Sequence, residues 1–144
     1  EETGVPVGIF RLAGIYGPGR NTLDKLRAGK AKRVVKPGQI FNRIHVDDIA
    51  AVLEAAMARP ATAIYNVADD EPAPPQDVVA YGAELLGLAP PPEVPFAEAG
   101  LSDMAGTFWG ESKRISNHRI RAELGVELAY PTYREGLSSL AKNG

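Results

Sequence analysis

The sequence predicts an α/β fold built on parallel strands, and three observations carry that prediction. Val5-Pro6-Val7-Gly8-Ile9-Phe10-Arg11-Leu12 is a short apolar run rich in β-branched residues and bounded by Gly and Pro, the pattern of a buried strand. Ala63-Ile64-Tyr65-Asn66-Val67-Ala68 is a second such run. Between them, Ile49, Val52, Leu53 and Ala56 recur at helical spacing over residues 49–59. Strand, helix and strand joined by short connections make a parallel pair.

Taken in order, the strand at 5–12 runs into Tyr16-Gly17-Pro18-Gly19, where Pro fixes φ and the flanking glycines permit a turn that stops it. Asn21 is placed to cap a helix over 22–29, with Leu23 and Leu26 on one face. Residues 30–36 are basic and end in a small strand, and Pro37-Gly38 turns the chain. A short strand over 43–46 leads to Asp47 or Asp48 as the cap of the 49–59 helix, where a carboxylate also favours the positive end of the dipole. After the 63–68 strand, Pro75 starts a helix over 76–86 that Gly87 stops. The stretch 90–112 is the least regular. Its Phe96, Leu101, Met104, Phe108 and Trp109, set among Gly100, Gly106 and Gly110, suit a lid over a ligand and a packed-down loop equally. Ser116 or Asn117 caps a helix over 118–124. Thr132, with Glu135 three residues on, reads as a capping box for a final helix over 133–142.

Composition narrows the function. At 144 residues, 44% hydrophobic and 24% charged, the chain has the make-up of a globular domain. A net charge of -2 gives no global footprint for nucleic acid. No apolar run is long enough to span a membrane, and no secretory leader is legible, so the expected location is cytoplasmic. The chain has no cysteine, which removes disulfides, thiolate catalysis and thiolate zinc sites. His45, Asp47 and Asp48 could be taken for metal ligands, but helix capping accounts for the acids more simply, and no metal is expected. Six basic residues fall within 25–36 (Lys25, Arg27, Lys30, Lys32, Arg33 and Lys36), either as a solvated face or as an anion site for phosphate groups.

Arg11-Leu12-x-x-Ile15-Tyr16-Gly17-Pro18-Gly19-Arg20, then Asn42-Arg43-Ile44-His45-Val46-Asp47-Asp48-Ile49-Ala50, then Ile64-Tyr65-Asn66-Val67-Ala68, Glu123-Leu124-Gly125 and Tyr133-Arg134-Glu135-Gly136-Leu137 stand in one order along the chain. That series resembles the extended short-chain dehydrogenase/reductase family, the NAD(P)-dependent epimerase/dehydratase-type, nucleoside-diphosphate-sugar epimerase-like proteins. The resemblance covers nearly the whole chain. It implies the carboxyl-terminal half of such a protein: part of a Rossmann-like doubly wound parallel sheet, with a small, mainly helical substrate-binding lobe from segments 20–46 and 88–144.

What the family needs for chemistry is missing here. Gly14-Ile15-Tyr16-Gly17-Pro18-Gly19 follows a strand and precedes a helix, but its spacing is G-x-x-G-x-G. No acidic residue ends a second strand about 20 residues on, as a dinucleotide loop requires. None of the five tyrosines has a lysine four residues later, so the family's Tyr-x-x-x-Lys, its acid/base and nicotinamide-ribose pair, is absent. No hydrolase elbow and no Walker A loop occurs. The expectation is therefore no catalytic residue in this chain. NAD or NADP would serve the full-length parent, with none bound tightly by this chain alone.

The resemblance places Leu12, Ala13, Gly14 and Ile15 beside the nicotinamide, contacting it largely through backbone groups. Tyr16 and Arg20 would face the substrate cleft. The family's diphosphate-binding arginine falls at Phe41, a departure that turns the reading from a nucleotide-sugar toward another small molecule. Arg43 would then point to the same side. Trp109, Lys113 and Arg114 are further candidates for the cleft wall. The expected partners are a small-molecule substrate and either the missing amino-terminal half or a second copy of the chain, giving a homo-oligomer. The alternative is a non-catalytic binding or assembly module that dimerises through exposed sheet surfaces.

Overall fold

The computed structural model describes residues 4–102, 109–110 and 112–143. The two strands that predicted the fold do pair: β1 (Gly8–Leu12) runs parallel to β5 (Ala63–Val67), in register from Gly8 opposite Ala63 to Leu12 opposite Val67. The architecture is α/β with parallel strands.

The sheet is divided more finely than the sequence suggests. The chain does not run as one strand into the Gly-Pro-Gly turn. Ala13 N–H still donates to Val67 O at 3.0 Å, but Gly14 N–H turns to Asn42 O at 3.1 Å. From there β2 (Gly14–Tyr16) pairs in parallel with β4 (Arg43–His45). A β-carbon at Gly14 would lie 3.3 Å from the Asn42 carbonyl, so a residue without one lets the chain change partners here. A third ladder joins β3 (Arg33–Val35) to β6 (Glu93–Pro95), inside the stretch expected to be irregular. The described residues thus contain three two-stranded parallel ladders, and the short strands read at the end of 30–36 and over 43–46 enter two of them as β3 and β4.

Most helix boundaries follow their local chemistry. α1 (Thr22–Arg27) is capped by the Asn21 side chain, which accepts from Asp24 N–H at 3.0 Å. It ends earlier than expected because Gly29 takes φ 71° and turns the chain back. α3 (Pro75–Leu86) starts on its proline and stops at Gly87. α2 (Val46–Ala58) corrects the sequence reading: neither Asp47 nor Asp48 caps it. His45 is the cap, its Nδ1 accepting from Asp47 N–H at 3.0 Å. Asp48 is buried and spent on a different task, accepting from Ala129 N–H at 2.8 Å and Tyr130 N–H at 3.1 Å.

α4 (His118–Ala122) is shorter than the expected 118–124, and Asn117 makes no side-chain cap bond. Its Nδ2 instead donates to Ala68 O and Asp70 Oδ1, at 2.9 and 2.8 Å, tying this helix to the end of β5. Ser116 Oγ accepts from His118 N–H at 3.3 Å. α5 (Tyr133–Asn143) opens on Thr132, whose hydroxyl accepts from Arg134 N–H at 3.1 Å. Glu135 engages that hydroxyl, not the backbone N–H that a capping box would use.

Three apolar clusters hold these pieces. One packs α2, β4 and β5 against α4 through Ile44, Val52, Tyr65, Val67 and Ile120. Another joins Tyr16 and Leu23 to α3 and α5 through Val78, Tyr133 and Leu137. The third gathers Val34, Ala99 and Trp109, with Phe41, Val94 and Phe96 packed on them. A fully buried Leu or Ile contributes roughly 1.5–3 kcal/mol relative to exposure, so Leu23, Ile44, Ile120 and Leu137 anchor the first two clusters.

Candidate functional site

The change of partner at Ala13–Gly14 opens a cleft between the carboxyl end of β1 and the β2–β4 ladder, and open α/β sheets take their ligands past the carboxyl ends of strands. A cavity of about 450 Å³ is lined by Leu12 through Tyr16 on one side, Ile40 through Arg43 on another, and Lys113 and Ile115 on the third. The four residues expected beside a nicotinamide therefore share one cavity with Tyr16, Arg43 and Lys113.

Asn42 builds the third wall. Its Nδ2 donates to Lys113 O at 2.7 Å and its Oδ1 accepts from Ile115 N–H at 3.0 Å. Ser112 adds a second staple, accepting from Ile40 N–H at 3.0 Å and donating to Gly38 O at 2.8 Å. Asn42 heads one of the motifs read in the sequence, but this role could not be read there, because its partners lie more than 70 residues away.

Arg43 is turned inward. Its Nη1 donates to the carbonyls of Phe41 and Ala73, at 3.1 and 3.2 Å, and so braces the bridge that joins those two residues. Burial pushes the guanidinium below its ordinary pKa, and the nearby Asp69 carboxylate pulls it back. Asp69, missed by the sequence reading, stands just past β5 and is 3% exposed. Its Oδ1 accepts from Glu71 N–H at 3.1 Å, while Oδ2 is buried without a partner among the described residues. Burial raises its pKa to about 7, against the opposing pull of the Glu71 amide and Arg43.

Tyr16 is also largely buried. Its ring meets His45 edge-on at 5.2 Å, and His45 stacks on Tyr130 at 4.1 Å. The Tyr16 hydroxyl has no hydrogen-bond partner among the described residues. Burial, with Asp69 and Asp48 nearby, pushes its pKa well above the ordinary tyrosine value. A phenol so placed is a wall, not an acid or base for work near neutrality.

The remaining candidates separate. Arg20 lies on a second cavity, of about 580 Å³, which shares only Ile15 and Tyr16 with the first. Trp109 does not stand open to the cleft. It is 9% exposed and packs against Phe41 and Phe96, with its carbonyl accepting from Lys36 Nζ at 2.7 Å. Of the aromatic and apolar residues in the 90–112 stretch, Phe96 and Trp109 are thus packed down and Leu101 is exposed beside the second cavity, while Met104, Gly106 and Phe108 lie outside the described residues. Arg114 is exposed and lines neither cavity.

The Gly-Pro-Gly turn is closed on itself. Gly17 N–H donates to Arg20 O and Arg20 N–H to Gly17 O, both at 3.0 Å. Those amides are not presented to a phosphate, as a dinucleotide loop would present them.

No family model matches the chain. It is 31% identical over 139 residues to a 3-diazoavenalumate denitrifying reductase from Streptomyces sp, covering 90% of this chain and 45% of that protein. A functionally unknown conserved protein from Silicibacter pomeroyi DSS superposes with a TM-score of 0.89 at 57% identity, covering 96% of this chain and 48% of the other. The human epimerase family protein SDR39U1 (isoform 2), solved with NADPH, superposes with a TM-score of 0.79 at 22% identity, covering 94% and 48%. The chain spans somewhat less than half the length of each. In its fold, α/β with parallel strands, this chain matches about half of the epimerase- and dehydratase-family structures it resembles.

Proposed function

We propose that this chain is the substrate-side half of an NAD(P)-dependent oxidoreductase, epimerase or dehydratase acting on a small, possibly sugar-like molecule, and that the chain by itself is inactive. The observation that carries this reading is the 450 Å³ cavity at the strand ends, which gathers Leu12–Ile15 with Arg43 and Lys113. Its floor of backbone and small apolar side chains suits the flat face of a nicotinamide. The turn at Gly17–Arg20, whose Gly17 and Arg20 amides are already paired with each other's carbonyls, does not suit a pyrophosphate. When bound, the cofactor would supply hydride transfer. This chain would hold the ring end of the cofactor and shape the substrate's surroundings, and proton transfer falls to residues outside it. Location in the cytoplasm completes the reading; among the described residues, no helix is long and apolar enough to cross a membrane.

The test is a fluorescence titration of NADH and NADPH into this chain and into a longer form of the protein that includes a preceding half, each checked by intact mass. The expected result is negligible binding to the chain and clear binding to the longer form. Appreciable affinity in the short chain would overturn the assignment of the Gly14–Gly19 segment.

A second reading is favoured by one feature. Val5, Val7, Ile9, Leu53 and Met57 are exposed apolar residues, and a cavity of about 520 Å³ lies between β1 and α2 beside them. Such a face calls for a cover. Under the first reading the missing half supplies it. Under the second, a non-catalytic module covers it with a second copy. Sedimentation at high concentration separates them: a homodimer of the chain that persists when the preceding half is added favours the second.

A further inference from the structure

We infer that the second cavity, beside Arg20, is a binding site for an organic anion, an acidic group carried on an apolar body. This deepens the proposed function, on which it rests, by naming the class of molecule that the substrate side receives. The cavity, of about 580 Å³, has an apolar floor that includes Val34 and Val79, and Arg20, Lys25, Lys30 and Lys32 stand around it. Its two surfaces therefore ask for different halves of one ligand.

The cationic rim is produced by the fold. α1 closes with Gly29 N–H donating to Leu26 O at 3.1 Å and Lys30 N–H to Lys25 O at 2.9 Å. This glycine-dependent reversal brings Lys30 back over the helix turn that carries Lys25. Lys32 follows as the chain enters β3, and Arg20 comes in from the turn before α1. Gly82 of α3 allows α1 to lie close, since a β-carbon there would meet Leu26 and Thr22 at 3.0 Å. Four cations are thus held around one cavity in a chain whose net charge is -2.

None of the four side chains forms an ion pair with a described residue. The carboxylate on the rim, Asp24, is engaged by Arg27 at 3.4 Å and by Asn21 Nδ2 at 3.3 Å. Elsewhere in the molecule Arg33, Arg119, Arg121 and Arg134 each have an acidic partner. Like charges gathered without a counter-charge repel one another, and an acidic ligand relieves that repulsion. Lysines supply point charges that accept a carboxylate or a phosphate, and the arginine supplies a planar fork for either.

The test uses 4-phenylbutyrate, phenyl phosphate and the neutral 4-phenylbutanol as probes, followed by amide shifts in heteronuclear NMR spectra of the protein. The expected result is saturable shifts over residues 20–34 with at least one of the two acids, and binding at least tenfold weaker for the alcohol. Whichever acid binds more tightly identifies the carboxylate or the phosphate as the natural group. The triple variant Lys25→Gln/Lys30→Gln/Lys32→Gln should lose at least tenfold in affinity, while Lys142→Gln keeps it. These lysines are exposed, so an unchanged melting temperature will show that the triple variant still folds. Equal binding of acid and alcohol, or acid binding unchanged in the triple variant, would overturn the site. NADPH binding retained by the longer protein in that event would show that the nicotinamide reading survives alone.

Discussion

The Tyr16 hydroxyl occupies the space that a side chain at Gly136 would need. A β-carbon built on Gly136 overlaps that oxygen and lies 2.6 and 2.7 Å from the ring carbons Cζ and Cε2. The end of β2 and the second turn of α5 are fitted to each other at this one point. Gly136→Ala should therefore destabilise the protein by about 1–3 kcal/mol through overpacking, read as a lower urea midpoint. Tyr16→Leu in the same background should recover part of that loss, giving a non-zero coupling in a double-mutant cycle. Tyr16→Phe, which removes an unpartnered buried oxygen, should leave stability unchanged or raise it by up to about 1 kcal/mol.

Asp48 holds the approach to α5 by accepting two backbone amides with one buried carboxylate. Asp48→Ala leaves both amides without their acceptor and should cost about 2–4 kcal/mol. Hydrogen exchange should locate the loss, with the amides of Ala129 and Tyr130 losing protection before those of β1 and β5.

Asp69 predicts an unusual pH dependence. Its folded pKa of about 7 lies above the ordinary value of 3.8, so the folded state binds the proton more tightly than the unfolded state. Its contribution is complete below about pH 4 and is lost as pH rises toward and through 7. Asp69→Asn should therefore melt higher than the parent at pH 8, and that advantage should disappear by pH 4. Melting curves of the two proteins from pH 4 to 8 check the sign.

His45 works in the opposite direction. Burial holds its pKa below 6.5, because the neutral ring is the one that accepts from Asp47 N–H and packs between Tyr16 and Tyr130. Its contribution is present above 6.5 and is lost as pH falls through the folded value. Imidazole nitrogen shifts followed against pH should show His45 in the folded protein titrating below the ordinary histidine value.

Asn42→Ala should loosen the wall formed by Lys113 and Ile115 without unfolding the ladder of β2 and β4. The expected cost is about 1 kcal/mol, with faster exchange at the Ile115 amide. In the longer protein, the same change should weaken NADPH binding if the cavity is the cofactor's ring site.

Much of this structure was legible from short patterns. The runs at 5–12 and 63–68 announced the β1–β5 ladder. Asn21, Pro75 and Gly87 marked the helix ends they occupy, because caps and turns are decided within a few residues. The failures share a cause. His45 displaced Asp47 and Asp48 as a cap because Asp48 was needed 81 residues away. Of the β3–β6 ladder, the small strand at the end of residues 30–36 was read, but β6 is three residues long, too short to show a period. Asp69 and Asn42 matter through distant partners, which no local window contains. The basic run at 25–36 was visible as composition, but whether its members converge or disperse depends on the reversal after α1 and on the approach of α3.

The three ladders also constrain how the molecule is made. Gly14 pairs opposite Arg43, Gly8 opposite Ala63, and Arg33 opposite Glu93, so every sheet bond waits for a partner well downstream. When the chain has emerged only as far as α1, neither β5 nor β4, the partners of β1 and β2 in this structure, has yet been made. Loop closure over such spans precedes any reward from pairing, which slows assembly. Early strands of this kind depend on being shielded until the later ones arrive.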